Sequence, residues 1–65
     1  MGRLVFTTFD GVLIMDRSFD ESFWENDPEF LDYSLKIDAR EHGVRVVSYA
    51  VDRKTKLVDV IVDWL

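Results

Sequence analysis

The side chains able to do chemistry in this chain are mostly carboxylates. Thirteen Asp and Glu residues stand against eight Lys and Arg, one His and no Cys. Without a thiolate there is no cysteine nucleophile, no disulfide framework and no thiolate zinc site. One imidazole cannot build an all-histidine metal site within one chain. Two acidic groups, Asp16, Asp20, Glu21 and Glu25, Asp27, Glu29, offer the hard oxygens a divalent cation prefers. Neither follows the spacing of an EF-hand loop, and Pro28 interrupts the second. Paired carboxylates also serve glycosidases as acid and base, but those need a sugar-sized cleft that a core this small cannot enclose. A phosphate-cradling glycine loop and a Ser–His–Asp arrangement are both missing. The expectation is a protein that is not an enzyme and uses no metal or cofactor.

The acids are concentrated. Residues 16 to 32 hold seven of them against Arg17 alone, a net −6 within a chain whose formal charge is −5. Such a field repels nucleic-acid phosphates and draws in basic surfaces, so direct nucleic-acid binding is not expected, despite Arg53, Lys54 and Lys56 at one turn. Phe19, Phe23 and Trp24 are interspersed with these acids. The candidate partner-binding residues are therefore Phe23 and Trp24 as anchors, with Asp20, Glu21, Glu25 and Asp27 around them. Aromatic side chains supply burial area, and an acidic rim steers a basic partner and raises its on-rate. The competing role for Phe19, Phe23 and Trp24 is to seal the small core.

Phe9-Asp10-Gly11-Val12-Leu13 follows an apolar run and resembles the Asp-x-Asp-Gly loop of haloacid-dehalogenase-like phosphatases. That family's nucleophilic aspartate would fall at Thr8, which cannot form an aspartyl-phosphate, and 65 residues leave no room for its lysine and distal acids. Asp10-Gly11 is accordingly read as a turn.

The elements that must position these groups follow from spacing. Residues 3 to 9 and 12 to 16 are rich in β-branched and aromatic types around Asp10-Gly11, which predicts a hairpin with a two-residue type I′ turn. Phe9 would then face Val12, Thr8 face Leu13 and Phe6 face Met15. Leu4, Phe6, Leu13 and Met15 would share one face, with Val5, Phe9, Val12 and Ile14 on the other. Residues 17 to 27 read as an irregular acidic connector. Asp27 as N-cap, Pro28 at the first helical position and Glu29 near the positive dipole end start a helix. It should run from about 28 to 42 and stop at Gly43, with His42 in the last turn. Asp32 and Lys36 form an i,i+4 pair. Phe30, Tyr33 and Ile37 make one apolar stripe; Leu31, Leu35 and Ala39 make a second. Residues 44 to 52 and 56 to 65 form a second strand pair, joined by a polar turn beginning at Asp52.

The chain thus reads as one α+β domain, ββαββ, with a small antiparallel four-stranded sheet and the helix across one face. The expected core includes Phe6, Ile37, Val47, Val58, Val60 and Val62. Apolar side chains on both sheet faces and both helix stripes point to a homodimer or larger. No 18-residue apolar run and no secretory-type leader is evident. The expectation is a soluble cytoplasmic module that binds a protein with a basic surface, an inhibitor or regulator; the alternative is an assembly protein that acts by self-association.

Overall fold

The computed structural model describes residues 2–20 and 27–65. Strands β1 (Gly2–Thr8) and β2 (Leu13–Phe19) form a hairpin, helix α1 (Pro28–Glu41) follows, and β3 (Val44–Asp52) and β4 (Leu57–Trp64) form a second hairpin. The order ββαββ is the expected one. The sheet is mixed rather than antiparallel throughout: its strand order is β2-β1-β4-β3, and the central pair β1·β4 is parallel. The reason is apolar content. The two strands flanked on both sides are those with the densest buried side chains, Leu4, Phe6 and Thr8 on β1 and Val58, Val60 and Val62 on β4. Each runs the same way because an even number of reversals separates them.

Helix α1 begins and ends where its signals lie. The Asp27 carboxylate accepts the Phe30 N–H at 3.1 Å, Pro28 occupies the first turn, and Gly43, at φ 74°, breaks the helix after His42. His42 Nδ1 donates to the Asp38 carbonyl at 2.8 Å, and its ring meets Phe6 edge-on. The helix buries Leu31, Leu35 and Ala39 on a core of Leu4, Phe6, Val44, Val58, Val60 and Val62. Of the expected core, Phe6 and the three valines of β4 are buried, whereas Ile37 is 43% exposed and Val47 40%. Ile37 belongs to the stripe that faces solvent. Ala39 explains the choice of stripe, because a methyl group lets the helix settle close to the sheet.

Val47 is displaced by a β-bulge. Val46 pairs with Val62 and Ser48 with Ile61, so Val47 is an additional residue, and Val44, Val46, Tyr49 and Val51 all lie on the helix side. A second bulge at Ile14 does the same on β2. Phe6 does face Met15, but Leu13 pairs with Thr7, which turns Leu13 onto the open face, 59% exposed. The first hairpin's loop has three residues, not two. The Thr8 N–H donates to the Val12 carbonyl, the Gly11 N–H donates to the Thr8 carbonyl, and Gly11 alone in the loop has positive φ, 86°. That is the three-residue class of hairpin rather than the type I′ turn. Thr8 explains the preference, since its hydroxyl donates to Asp10 at 2.5 Å and accepts the Val12 N–H at 3.0 Å. That hydrogen bond holds the Asp10 carboxyl below the ordinary carboxylate range.

Candidate functional site

The acidic segment leaves β2 at Phe19 and enters α1 at Pro28, so its ends flank one side of the molecule, where β2 and the N-terminal half of the helix meet. Asp20 follows β2 directly and is exposed. Asp27 is also exposed, and its carboxylate is engaged as the helix cap. Glu21, Phe23, Trp24 and Glu25 lie outside the described residues. Phe19 is half-buried against the core, with its ring over Gly2, where a Cβ would stand 2.7 Å from it. For Phe19 the core-sealing role therefore holds.

The Tyr49 hydroxyl on β3 and Arg17 on β2 both reach carboxylates of the helix, and between the helix and β2 there is a gap. The gap is a slot of about 50 Å³ lined by Leu4, Phe19, Phe30, Leu31 and Leu35, with Ser34 also at its wall. Arg17 on β2 and Asp38 on α1 form an ion pair and also line the slot. Around the slot the outer stripe of the helix is uncovered. Phe30 is 43% and Tyr33 63% exposed, and together with Ile37 they make an apolar ridge beside Asp27 and Glu29. Asp32 and Lys36 pair at 2.8 Å on the flank toward β3, where the Tyr49 hydroxyl donates to Asp32 at 3.3 Å. Lys36 holds the Asp32 carboxyl below its usual range, and Asp32 raises the Lys36 ammonium in return.

On the sheet face away from the helix, Arg3 makes a forked pair with Asp16 across the first hairpin, and Arg45 pairs with Asp63 at 3.1 Å across the second. The Arg3 hydrogen bond keeps the Asp16 carboxyl low. Between these pairs lie Val5, Thr7, Leu57 and Ile61, with the exposed Asp59 among them. Among the described residues no three His, Asp or Glu side chains converge as metal ligands would, and no helix is long and apolar enough to cross a membrane.

Sequence reasoning missed the slot and the Arg17–Asp38 pair, which join positions far apart in the chain. It did mark Phe30, Tyr33 and Ile37 as a stripe able to touch something besides the sheet. Comparison with known proteins finds no matching family model, no matching curated protein and no matching solved structure. The functional reading therefore rests on this chain's own residues.

Proposed function

We propose that this is a small non-enzymatic protein-binding module, an inhibitor or regulator acting in the cytoplasm on a partner with a basic surface. The observation that carries the reading is the uncovered ridge of Phe30, Tyr33 and Ile37 running alongside Asp27 and Glu29. Exposed aromatic area with carboxylates at its N-terminal end, and Lys36 and Arg40 beside its C-terminal half, suits an interface in which apolar burial supplies affinity and the acidic end supplies on-rate and selectivity. Phe23 and Trp24, with Asp20, Glu21 and Glu25, join the reading on their sequence alone. The test is capture of partners from the native host at low and high salt by the wild type, Tyr33→Ala, Trp24→Ala and Glu29→Lys. The reading expects a partner captured at low salt, released at high salt, and lost from the variants while their melting temperatures stay unchanged.

A second reading, assembly by self-association, draws on the open sheet face, where Leu13 and Val47 are exposed beside Val5 and Ile61. Sedimentation separates the two. A 7.7 kDa species at tens of micromolar excludes self-association, and a dimer abolished by Leu13→Asp supports it.

A further inference from the structure

The outer side of helix α1 is laid out to match itself. At about 100° per residue, Leu31, Leu35 and Ala39 centre on the side that meets the sheet, and Tyr33 and Ile37 centre about 180° from it. The sheet lies behind the helix, so among the described residues no strand stands in front of those two side chains. Glu29 and Arg40 border them on one flank. They lie eleven residues apart, hence within about 20° of one another around the axis. Both are exposed, and neither is in an ion pair among the described residues, whereas Asp32 and Lys36 between them neutralise each other. Along the axis, the midpoint of Glu29 and Arg40 falls within about 1 Å of the midpoint of Tyr33 and Ile37. A two-fold axis set there, perpendicular to two antiparallel copies of the helix, brings Tyr33 of each copy beside Ile37 of the other and Glu29 beside Arg40, twice each.

We infer that a second copy of this chain packs antiparallel on that ridge, giving a two-fold dimer layered sheet, helix, helix, sheet. A parallel pair would set Glu29 against Glu29 and Arg40 against Arg40, so charge selects the antiparallel order. On the other flank Glu41 meets the N-terminal turn of the second helix, whose positive dipole end offsets the nearness of Asp27. The open sheet face is the poorer site for a second copy, because the exposed Asp59 at its centre would face its own counterpart. Two helices about 21 Å long bury less than a standard interface, and each rim ion pair adds little. The dimer is accordingly half formed at tens of micromolar, and the monomer prevails at low micromolar. The ridge is also the surface proposed to meet a partner, so a second copy and a partner occupy it in turn and self-association regulates access. That consequence rests on the binding reading; the dimer itself does not.

Sedimentation equilibrium of the full chain reads the dimer as a species of twice 7.7 kDa. Glu29→Arg and Arg40→Glu should each weaken it at least tenfold. Both changes in one chain should restore it, since the reversed pairs meet in the same register, and so should mixing the two single variants. Tyr33→Asp should abolish it, and Leu13→Asp on the sheet face should leave it unchanged, with folding of each variant checked by its melt. In a mixture of isotope-labelled and unlabelled chains, filtered spectra should place the Tyr33 ring against the Ile37 methyls of the other copy. A mass that stays at 7.7 kDa through tens of micromolar overturns the inference. So does a dimer that ignores both single reversals, one that neither the double reversal nor the mixture restores, or one lost with Leu13→Asp and kept with Tyr33→Asp. The binding reading fails separately, when no salt-sensitive partner is captured.

Discussion

Leu35→Ala and Ile37→Ala form a matched pair that tests which stripe of the helix faces the sheet. The two positions lie two residues apart, hence about 160° apart around the axis. Leu35 is 1% exposed and Ile37 43%. Truncating either to Ala removes three carbons, worth about 2.4 kcal/mol of transfer free energy when fully buried. At Leu35 that full amount applies, and the cavity left between helix and sheet adds more, for a total of about 3–4 kcal/mol. At Ile37 a little over half applies, solvent fills the space, and a compact denatured state lowers the figure further. Ala also gains a few tenths of a kcal/mol in helix propensity over Ile. The net cost at Ile37 is about 0.5–1 kcal/mol. A 65-residue chain has roughly 3–10 kcal/mol of stability in all. Leu35→Ala should therefore lose roughly a third or more of the total stability, and Ile37→Ala should keep most of it. Urea titration followed by circular dichroism measures both, with equal slopes required before the midpoints are compared. Equal costs, or a larger cost at Ile37, would mean that the helix is turned on the sheet and that the exposed ridge is core.

Three further outcomes follow from local geometry. Gly2→Ala should destabilise by about 1–3 kcal/mol, because its Cβ would meet the Phe19 ring at 2.7 Å and the Lys56 carbonyl at 3.1 Å; in a double-mutant cycle Phe19→Ala should absorb part of that cost, and strict additivity would refute the contact. Gly43→Ala should cost about 1 kcal/mol through backbone strain alone, since φ is 74° and a Cβ there meets nothing within 4 Å; a normal melting temperature would contradict that geometry. Asp10, Asp16 and Asp52 are all held below their ordinary pKa, by Thr8, by Arg3 and by the Thr55 and Lys54 N–H groups respectively. Depressed folded-state values mean that this stability is complete above the unfolded value of about 3.9 and lost as pH falls through the folded values. Melts from pH 6 to 2 should show that acid loss, and Asp52→Asn should shrink it; an undiminished drop in the variant would remove Asp52 from the account.

What was legible in the sequence is what is decided locally. Asp27-Pro28 and Gly43 punctuate the helix because capping and positive φ depend on a few adjacent residues. The strands were legible from their β-branched and aromatic runs, and Asp10-Gly11 marked the hairpin tip. The turn type was not legible, because the Thr8 hydroxyl, outside the Asp-Gly pair, supplies the bonds that favour the longer loop. Val46-Val47-Ser48 and Leu13-Ile14-Met15 are near-continuous apolar runs, and such runs do not say which residue a bulge will omit. That one omission moved Val47 and Leu13 off their expected faces. The choice between Leu35 and Ile37 was equally hidden, since both stripes are apolar and only the fit of Ala39 against the sheet separates them. The slot lay furthest from view. Arg17 faces Leu4 within the first hairpin, and Leu35 and Asp38 share a helix flank, but the two pairs meet only once the helix is laid across the sheet.

The placement of charge bears on how an uncovered edge is tolerated at all. An unprotected edge strand invites pairing with a second copy of itself. On β3 the bulge at Val47 and the nearby helix discourage it. On β2 the regular stretch from Met15 to Phe19 is tied to the helix by the Arg17–Asp38 ion pair, and Asp16 and Asp20 place carboxylates along and just beyond it. Two copies aligned edge to edge along β2 would bring Asp16 and Asp20 of each copy toward those of the other. Like charge at that range penalises the homotypic pairing. The opposite surface, the sheet face around Val5, Leu13 and Ile61, carries the Arg3–Asp16 and Arg45–Asp63 pairs with the exposed Asp59 between them, so a second copy laid on that face would also meet like charge at its centre.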